Sequence, residues 1–169
     1  APGMQQANDF LMALQLTGAA KADSLANLEL RMPVVVIGGG LTGVDTATEA
    51  QAYYIKQIEK IAERYEKLDH KLLASKLNSA STESLQEFLA HAEAIKAERE
   101  RAKEENRAPD FISLVHSWGG VTIAYRREMQ ASPAYRVNHE ELYKALEEGI
   151  YYAEQLQPVK ILLDQHGHV

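Results

Sequence analysis

The sequence predicts an α/β fold built on a parallel sheet, and three observations carry that expectation. Residues Val34-Val35-Val36-Ile37 form a β-branched run without polar alternation, the pattern of a strand buried on both faces. The run ends in Gly38-Gly39-Gly40 and a helical pattern begins at once, so strand, glycine turn and helix follow without a gap. A second β-rich run, Val121-Thr122-Ile123-Ala124-Tyr125, returns only after a long helical stretch, as a parallel strand does after its crossover.

Taken in order, Asn8 to Gly18 reads as a short amphipathic helix. Asn8 or Asp9 is its cap, Phe10, Leu11, Leu14 and Leu16 are its apolar positions, and Gly18 is its stop. Ala19 to Arg31 has no decisive period and is read as a connector. After the strand, Thr42, Val44, Ala47, Ala50, Tyr54, Ile58, Ile61, Tyr65 and Leu68 mark a helix of about seven turns, well beyond the usual crossover length. Something is grafted onto its end.

From Asp69 to Asn106 the composition is almost wholly helical, with one break at Asn78-Ser79-Ala80-Ser81. Leu85, Phe88, Leu89, Ala92 and Ile95 then form a second apolar stripe, so the stretch reads as a helical hairpin. Lys96 to Arg107 is dense in both signs of charge and is read as a solvated face with pairs three and four residues apart, without chemistry. Pro109 ends it, and Phe111 to Trp118 is a short helix leading to Gly119-Gly120. Beyond the second strand, Asn138 to Glu148 is a helix capped by Asn138 with Glu141 three later and closed by Gly149. Tyr151 to Gln155 and Val159 to Leu163 are two further candidate strands, parted at Pro158. The Tyr53-Tyr54 and Tyr151-Tyr152 pairs are expected to alternate between core and solvent.

Composition bounds the function. The chain has 169 residues, 46% hydrophobic and 25% charged, which is enough to bury a core and too ordinary for wholesale disorder. A formal charge of −6 argues against broad nucleic-acid binding, because such a surface repels phosphates. With no cysteine there is no disulfide, thiolate nucleophile or redox dithiol in this stretch. The apolar run around Val34 is far too short to cross a bilayer and no signal-peptide layout opens the chain, so the expected address is cytoplasmic, with no membrane partner. The opening Ala1-Pro2-Gly3-Met4 reads like the middle of a longer protein, and Asp164 to Val169 like half a turn. The expectation is an excised piece.

The strongest chemical signal is Gly38-x-Gly40-x-x-Gly43, directly after a strand and opening a helix. Gly38 allows a tight turn, Gly40 lets a pyrophosphate approach the backbone, and Gly43 lets helix and strand pack closely. The helix start adds free N–H groups and a positive dipole end. The usual motif continues with an acid about 20 residues on, at the tip of the next strand. Here that interval is helix. If most of Asp69 to Gly120 is inserted in the crossover, Val121 to Tyr125 is that next strand, and its tip carries Arg126-Arg127 in place of a carboxylate. A guanidinium fork suits a phosphate dianion, which favours NADP(H) over NAD(H).

Other candidates are weaker. Asp45 in the first helical turn suits the dipole. His139-Glu140-Glu141 lacks the second histidine of a zinc helix, and Asp164, His166 and His168 read as a turn. His70, His91 and His116 have no partners at ligand spacing, and Trp118 is read as core. No catalytic residue and no metal ligand is assigned.

The stretch from Val34 to Asp45, then Val121 to Arg127, Met129, Pro133, Glu140-Glu141, Ala145 to Ile150 and Pro158-Val159, resembles the pyridine-nucleotide domain of flavoproteins related to the glutamate synthase NADPH small chain, in the pyridine nucleotide-disulfide oxidoreductase superfamily. The likeness covers Pro33 to Ala50 and Gly120 to Val169, with a weaker match at Asp9 to Leu16. It implies an FAD-dependent oxidoreductase in which this segment binds NADPH and hands a hydride to a flavin held by a separate domain. The phosphate-loop role then falls on Gly38, Gly40, Leu41, Thr42 and Gly43, and the 2′-phosphate role on Arg126 and Arg127. Family members commonly have Asn where Leu41 stands, and compact members have no counterpart of Tyr53 to Ser117.

The expected organisation is therefore an N-terminal helix and connector (1–32), an incomplete Rossmann-like NAD(P)H-binding domain (33–52 and 118–169), and a helical insertion (53–117). The alternative function is a helical interaction or dimerisation module on a vestigial nucleotide scaffold. An exposed stripe on Leu85, Phe88, Leu89, Ala92 and Ile95 would favour it, whereas packing of that stripe on the helix of Tyr54 to Leu68 would make the insertion self-contained.

Overall fold

A computed structural model describes residues 2–169. The chain is mixed α/β. Helix α1 (Ala7–Thr17) precedes strand β1 (Val34–Ile37) and the long helix α2 (Leu41–Glu66). Helices α3 (His70–Ala74), α4 (Ser79–Glu104) and α5 (Phe111–Ser117) lead to strand β2 (Val121–Ala124), and a 3-10 turn (Met129–Ala131) with helix α6 (Pro133–Glu147) leads to strand β3 (Tyr151–Ala153). The three strands lie in the order β1-β2-β3, both pairs parallel, with Ile37 beside Ala124 and Ala124 beside Ala153.

Helix α2 is the spine. Its 26 residues carry two buried faces. On one, Tyr54, Ile55 and Ile58 pack with Phe88 and Ile95 of α4 and with the inward side of the sheet, Val36, Val121 and Ile123. On the other, Ala50 and Tyr53 pack on Phe10 and Leu14 of α1. Adjacent helix positions differ by about 100°, and partners on both sides bury both tyrosines, so the expected core-and-solvent alternation at Tyr53-Tyr54 is not found. Most of the apolar stripe of α4 lies on α2: Phe88 and Ile95 are buried and Ala92 packs against the same cluster, while Leu85 and Leu89 are half-buried outside it. Helix α4 is packed on the chain's own helix α2, and the expected boundary at 52/53 falls inside α2.

Four further expectations are corrected. Val35 and Ile37 are 60% and 61% exposed, so β1 is covered on one face only; the helices packed on the sheet supply no cover for the other. Val159 to Leu163 is exposed and forms no strand, since nothing pairs with the outer edge of β3 among the described residues. At α1 the cap is Gln6 without a side-chain bond, while Gly18 closes the helix in the left-handed region at φ 59° as expected. Helix α6 starts earlier than expected, at Pro133 behind a Ser132 cap. Asn138 breaks its geometry at φ −154° and ψ 80°, and Asn138 Nδ2 donates to Glu141 Oε1 (2.8 Å). The expected capping pair therefore acts at a kink inside the helix.

The solvated reading of Lys96 to Arg107 holds except at Ala102, which is buried, and at Glu98. That carboxylate is buried, paired with Arg107 (2.5 Å) and Arg101 (2.7 Å), and accepts the Asp110 amide (2.7 Å). It ties the end of α4 to the loop that starts α5.

Candidate functional site

The glycine turn sits at the C-terminal end of β1, where parallel α/β sheets present their loops to ligands. Gly38 has φ +143°, outside what a side chain tolerates, and its amide donates to the Ala124 carbonyl (3.0 Å), tying the turn to the end of β2. Gly40 caps α2 from an extended conformation, and no side chain caps the helix. The Gly43 and Val44 amides both return to the Gly40 carbonyl, and among the described residues the amides of Leu41 and Thr42 have no acceptor.

A Cβ built on each glycine separates their roles. At Gly38 and Gly40 it meets nothing within 4 Å, so the backbone there faces open space. At Gly43 it lies 3.2 Å from the Gly38 carbonyl oxygen and 3.7 Å from a Val36 methyl, the close approach of helix to strand. Gly39, which the motif leaves unassigned, has its own cause: a Cβ there would lie 2.6 Å from Tyr125 Cδ2. Its carbonyl accepts the Ala134 amide (2.9 Å), so the start of α6 is tied to the loop.

Arg126 and Arg127 follow the last paired residues of β2, beside this turn. Both are exposed, and neither makes an ion pair among the described residues; the Glu128 and Glu140 carboxylates are not their partners. The arrangement offers unspent amides at a helix start and two unpaired guanidiniums one strand away. Helix-start amides and guanidiniums each have the chemistry to hold a phosphate. Leu41 is half-buried and Thr42 exposed at the mouth of the turn. Asp45 is exposed on the first turns of α2.

The remaining candidates have structural occupations. His91 accepts or donates at Tyr54 Oη and stacks on Trp118; His116 Nε2 meets the Gly149 carbonyl; His70 stacks on Tyr65. Asp164 Oδ1 accepts the amides of His166 and His168, closing the turn expected there. No cluster of three metal-binding side chains occurs among the described residues. Two surface hollows lie away from the glycine turn, one beside Glu98, Arg107 and Ser117, the other beside Ala62, Tyr65 and Leu89.

Sequence reasoning missed a polar row on α2. Tyr53, Gln57, Lys60 and Arg64 recur at helical spacing and grip the connector 18–30 by its backbone. Leu28 donates to Tyr53 Oη (2.9 Å), Gln57 bonds both the amide and the carbonyl of Leu30 (2.8 Å each), and Lys60 donates to Ala19 (2.5 Å) and Ala26 (2.7 Å). Arg64 donates to the Ser24 carbonyl. The signal was present in the spacing 4, 3, 4, but polar residues at helical spacing do not by themselves say which backbone they bond.

All 169 residues match the uncharacterized protein RP006 of Rickettsia prowazekii at 41% identity, and the chain spans about a fifth (22%) of that relative's length. No protein-family model and no solved structure matches the chain. No helix among the described residues is long and apolar enough to cross a membrane.

Proposed function

We propose that this chain is the NADPH-binding segment of a larger FAD-dependent oxidoreductase, of the kind related to the glutamate synthase NADPH small chain, with a Rossmann-like half domain interrupted by a helical insertion. The observation that carries the reading is the open glycine turn at the end of β1 beside the unpaired Arg126-Arg127 at the end of β2. The residues fit the cofactor: the backbone is bare at Gly38 and Gly40, and the first amides of α2 are unspent.

The pyrophosphate would lie against Gly38, Gly40 and the free amides of Leu41 and Thr42, where the helix dipole favours negative charge, with Gly43 letting the helix approach the strand closely. The guanidiniums of Arg126 and Arg127 would hold the 2′-phosphate of the adenosine ribose and select NADP(H) over NAD(H). The bound nicotinamide supplies the hydride, and the chain's part is to bind and orient it. The FAD belongs to a separate domain of the same polypeptide. The Rickettsia relative is long enough to hold such a domain beyond the matched part, and the sheet is open at Val35 and Ile37.

Calorimetry on the full-length protein tests the reading. NADPH should bind more than about tenfold tighter than NADH, and the double variant Arg126→Ala, Arg127→Ala should lose that preference. Equal affinity for the two cofactors, or none for either, overturns it.

A further inference from the structure

The turn that carries Arg126 and Arg127 is held by the tip of β3. Four hydrogen bonds join the two segments. Tyr125 donates its amide to the Ala153 carbonyl (2.9 Å) and accepts at its own carbonyl from Leu156 (3.0 Å). The Arg127 carbonyl accepts the Gln155 amide (3.2 Å), and the Glu154 carboxylate accepts the Met129 amide (2.9 Å). The ring of Tyr125 meanwhile abuts Gly39, so the same segment is braced against the glycine turn.

Two features of that tip are unusual. Gln155 sits at φ +56°, a left-handed conformation that side-chain-bearing residues rarely adopt. In that conformation its amide reaches Arg127. Glu154 is an exposed carboxylate near two arginines, yet it spends Oε1 on a backbone amide and pairs with neither guanidinium.

We infer that Glu154, at the tip of β3, is a positioning residue for cofactor choice: by holding the Met129 amide it fixes the Arg126–Glu128 turn with both guanidiniums unpaired and facing a phosphate ligand. The inference rests on the proposed NADPH reading. Its sign separates it from plain electrostatics. A carboxylate beside a phosphate site repels the ligand, so deleting it should tighten NADPH binding if charge were all that mattered. Positioning requires the opposite.

The test compares the full-length protein with Glu154→Ala and Glu154→Gln, measuring the affinity ratio of NADPH to NADH and the exchange protection of the Met129 amide. Glu154→Ala should lower the ratio about fivefold and expose the Met129 amide. Glu154→Gln keeps an acceptor oxygen and should restore both. An Ala variant whose ratio is unchanged or raised overturns the inference while leaving the NADPH reading intact. A parent protein that does not discriminate between the cofactors overturns the reading itself, and a Met129 amide equally protected in all three proteins removes the brace on structural grounds alone.

Discussion

Tyr54 Oη and His91 Nδ1 lie 2.7 Å apart, joining α2 to α4 through a buried tyrosine and an imidazole that also stacks on Trp118 at 4.0 Å between ring centres. Burial holds the His91 imidazole below its ordinary value, while the Glu87 charge four residues earlier pulls the other way. Burial also pushes the Tyr54 hydroxyl well above its usual range. The folded chain therefore binds the His91 proton less readily than the unfolded chain does. Stability from this site is fully present above the unfolded value of about 6.5 and is lost as pH falls through it toward the lowered folded value. Urea midpoints taken at about pH 7.5 and about pH 5 should differ for the parent, and His91→Phe should flatten that difference. An unchanged slope in the variant would assign the pH dependence elsewhere.

Lys60 should be the dominant member of the polar row on α2. Its ammonium is buried, and burial, then the nearby Arg64 charge, lowers its pKa; the carbonyls of Ala19 and Ala26 receive its protons. Lys60→Met removes both donors and leaves two carbonyls to find water. A loss of about 1–3 kcal/mol in unfolding free energy is expected. Hydrogen exchange should quicken across residues 19–30 before it changes in the sheet. If the connector stays as protected as in the parent, Lys60 does not hold it.

What could be read in the residues was local. Helix α2 announces itself by period, Gly18 by the chemistry of helix ends, and Gly38, Gly40 and Gly43 by their place between a strand and a helix. What could not be read depends on neighbours distant in sequence. Val34 to Ile37 has the composition of a strand covered twice, but cover on the second face must come from other elements, and none of the described ones lies there. Val159 to Leu163 has strand propensity without a partner edge. The occupations of Gly39 and Glu154 are set by where Tyr125 and Met129 lie, and that follows from the registry of three strands.

Glu98 should give the end of α4 an acid-labile stability. Hydrogen bonds from the Arg107 side chain, then from the Asp110 amide, hold its carboxyl down to about 2, against burial that opposes ionisation. The folded chain thus keeps this carboxylate ionised where the unfolded chain protonates it. The contribution is present above the ordinary carboxylate value of about 4.3 and is lost as pH falls from there toward 2. Glu98→Gln should lower the thermal midpoint at neutral pH, and the gap to the parent should close as pH falls below about 3. A gap that persists in acid would mean that shape, and not charge, holds Arg107.

Gly39 and Gly40 are neighbours with opposite demands, and alanine distinguishes them. At Gly39 the new methyl would lie 2.6 Å from the Tyr125 ring, so ring or loop must move, and a loss of about 1–3 kcal/mol is expected. Tyr125→Leu should relieve part of it, making the double variant less destabilised than the sum of the singles. At Gly40 nothing lies within 4 Å and the residue is extended at φ −92°, so alanine should lower the urea midpoint only by the loss of a glycine N-cap, less than at Gly39. The same methyl would occupy the space the proposed pyrophosphate needs, and NADPH affinity should fall by more than about tenfold. A Gly40→Ala protein that keeps both its stability and its NADPH affinity would show that the open backbone there is not where the phosphates lie.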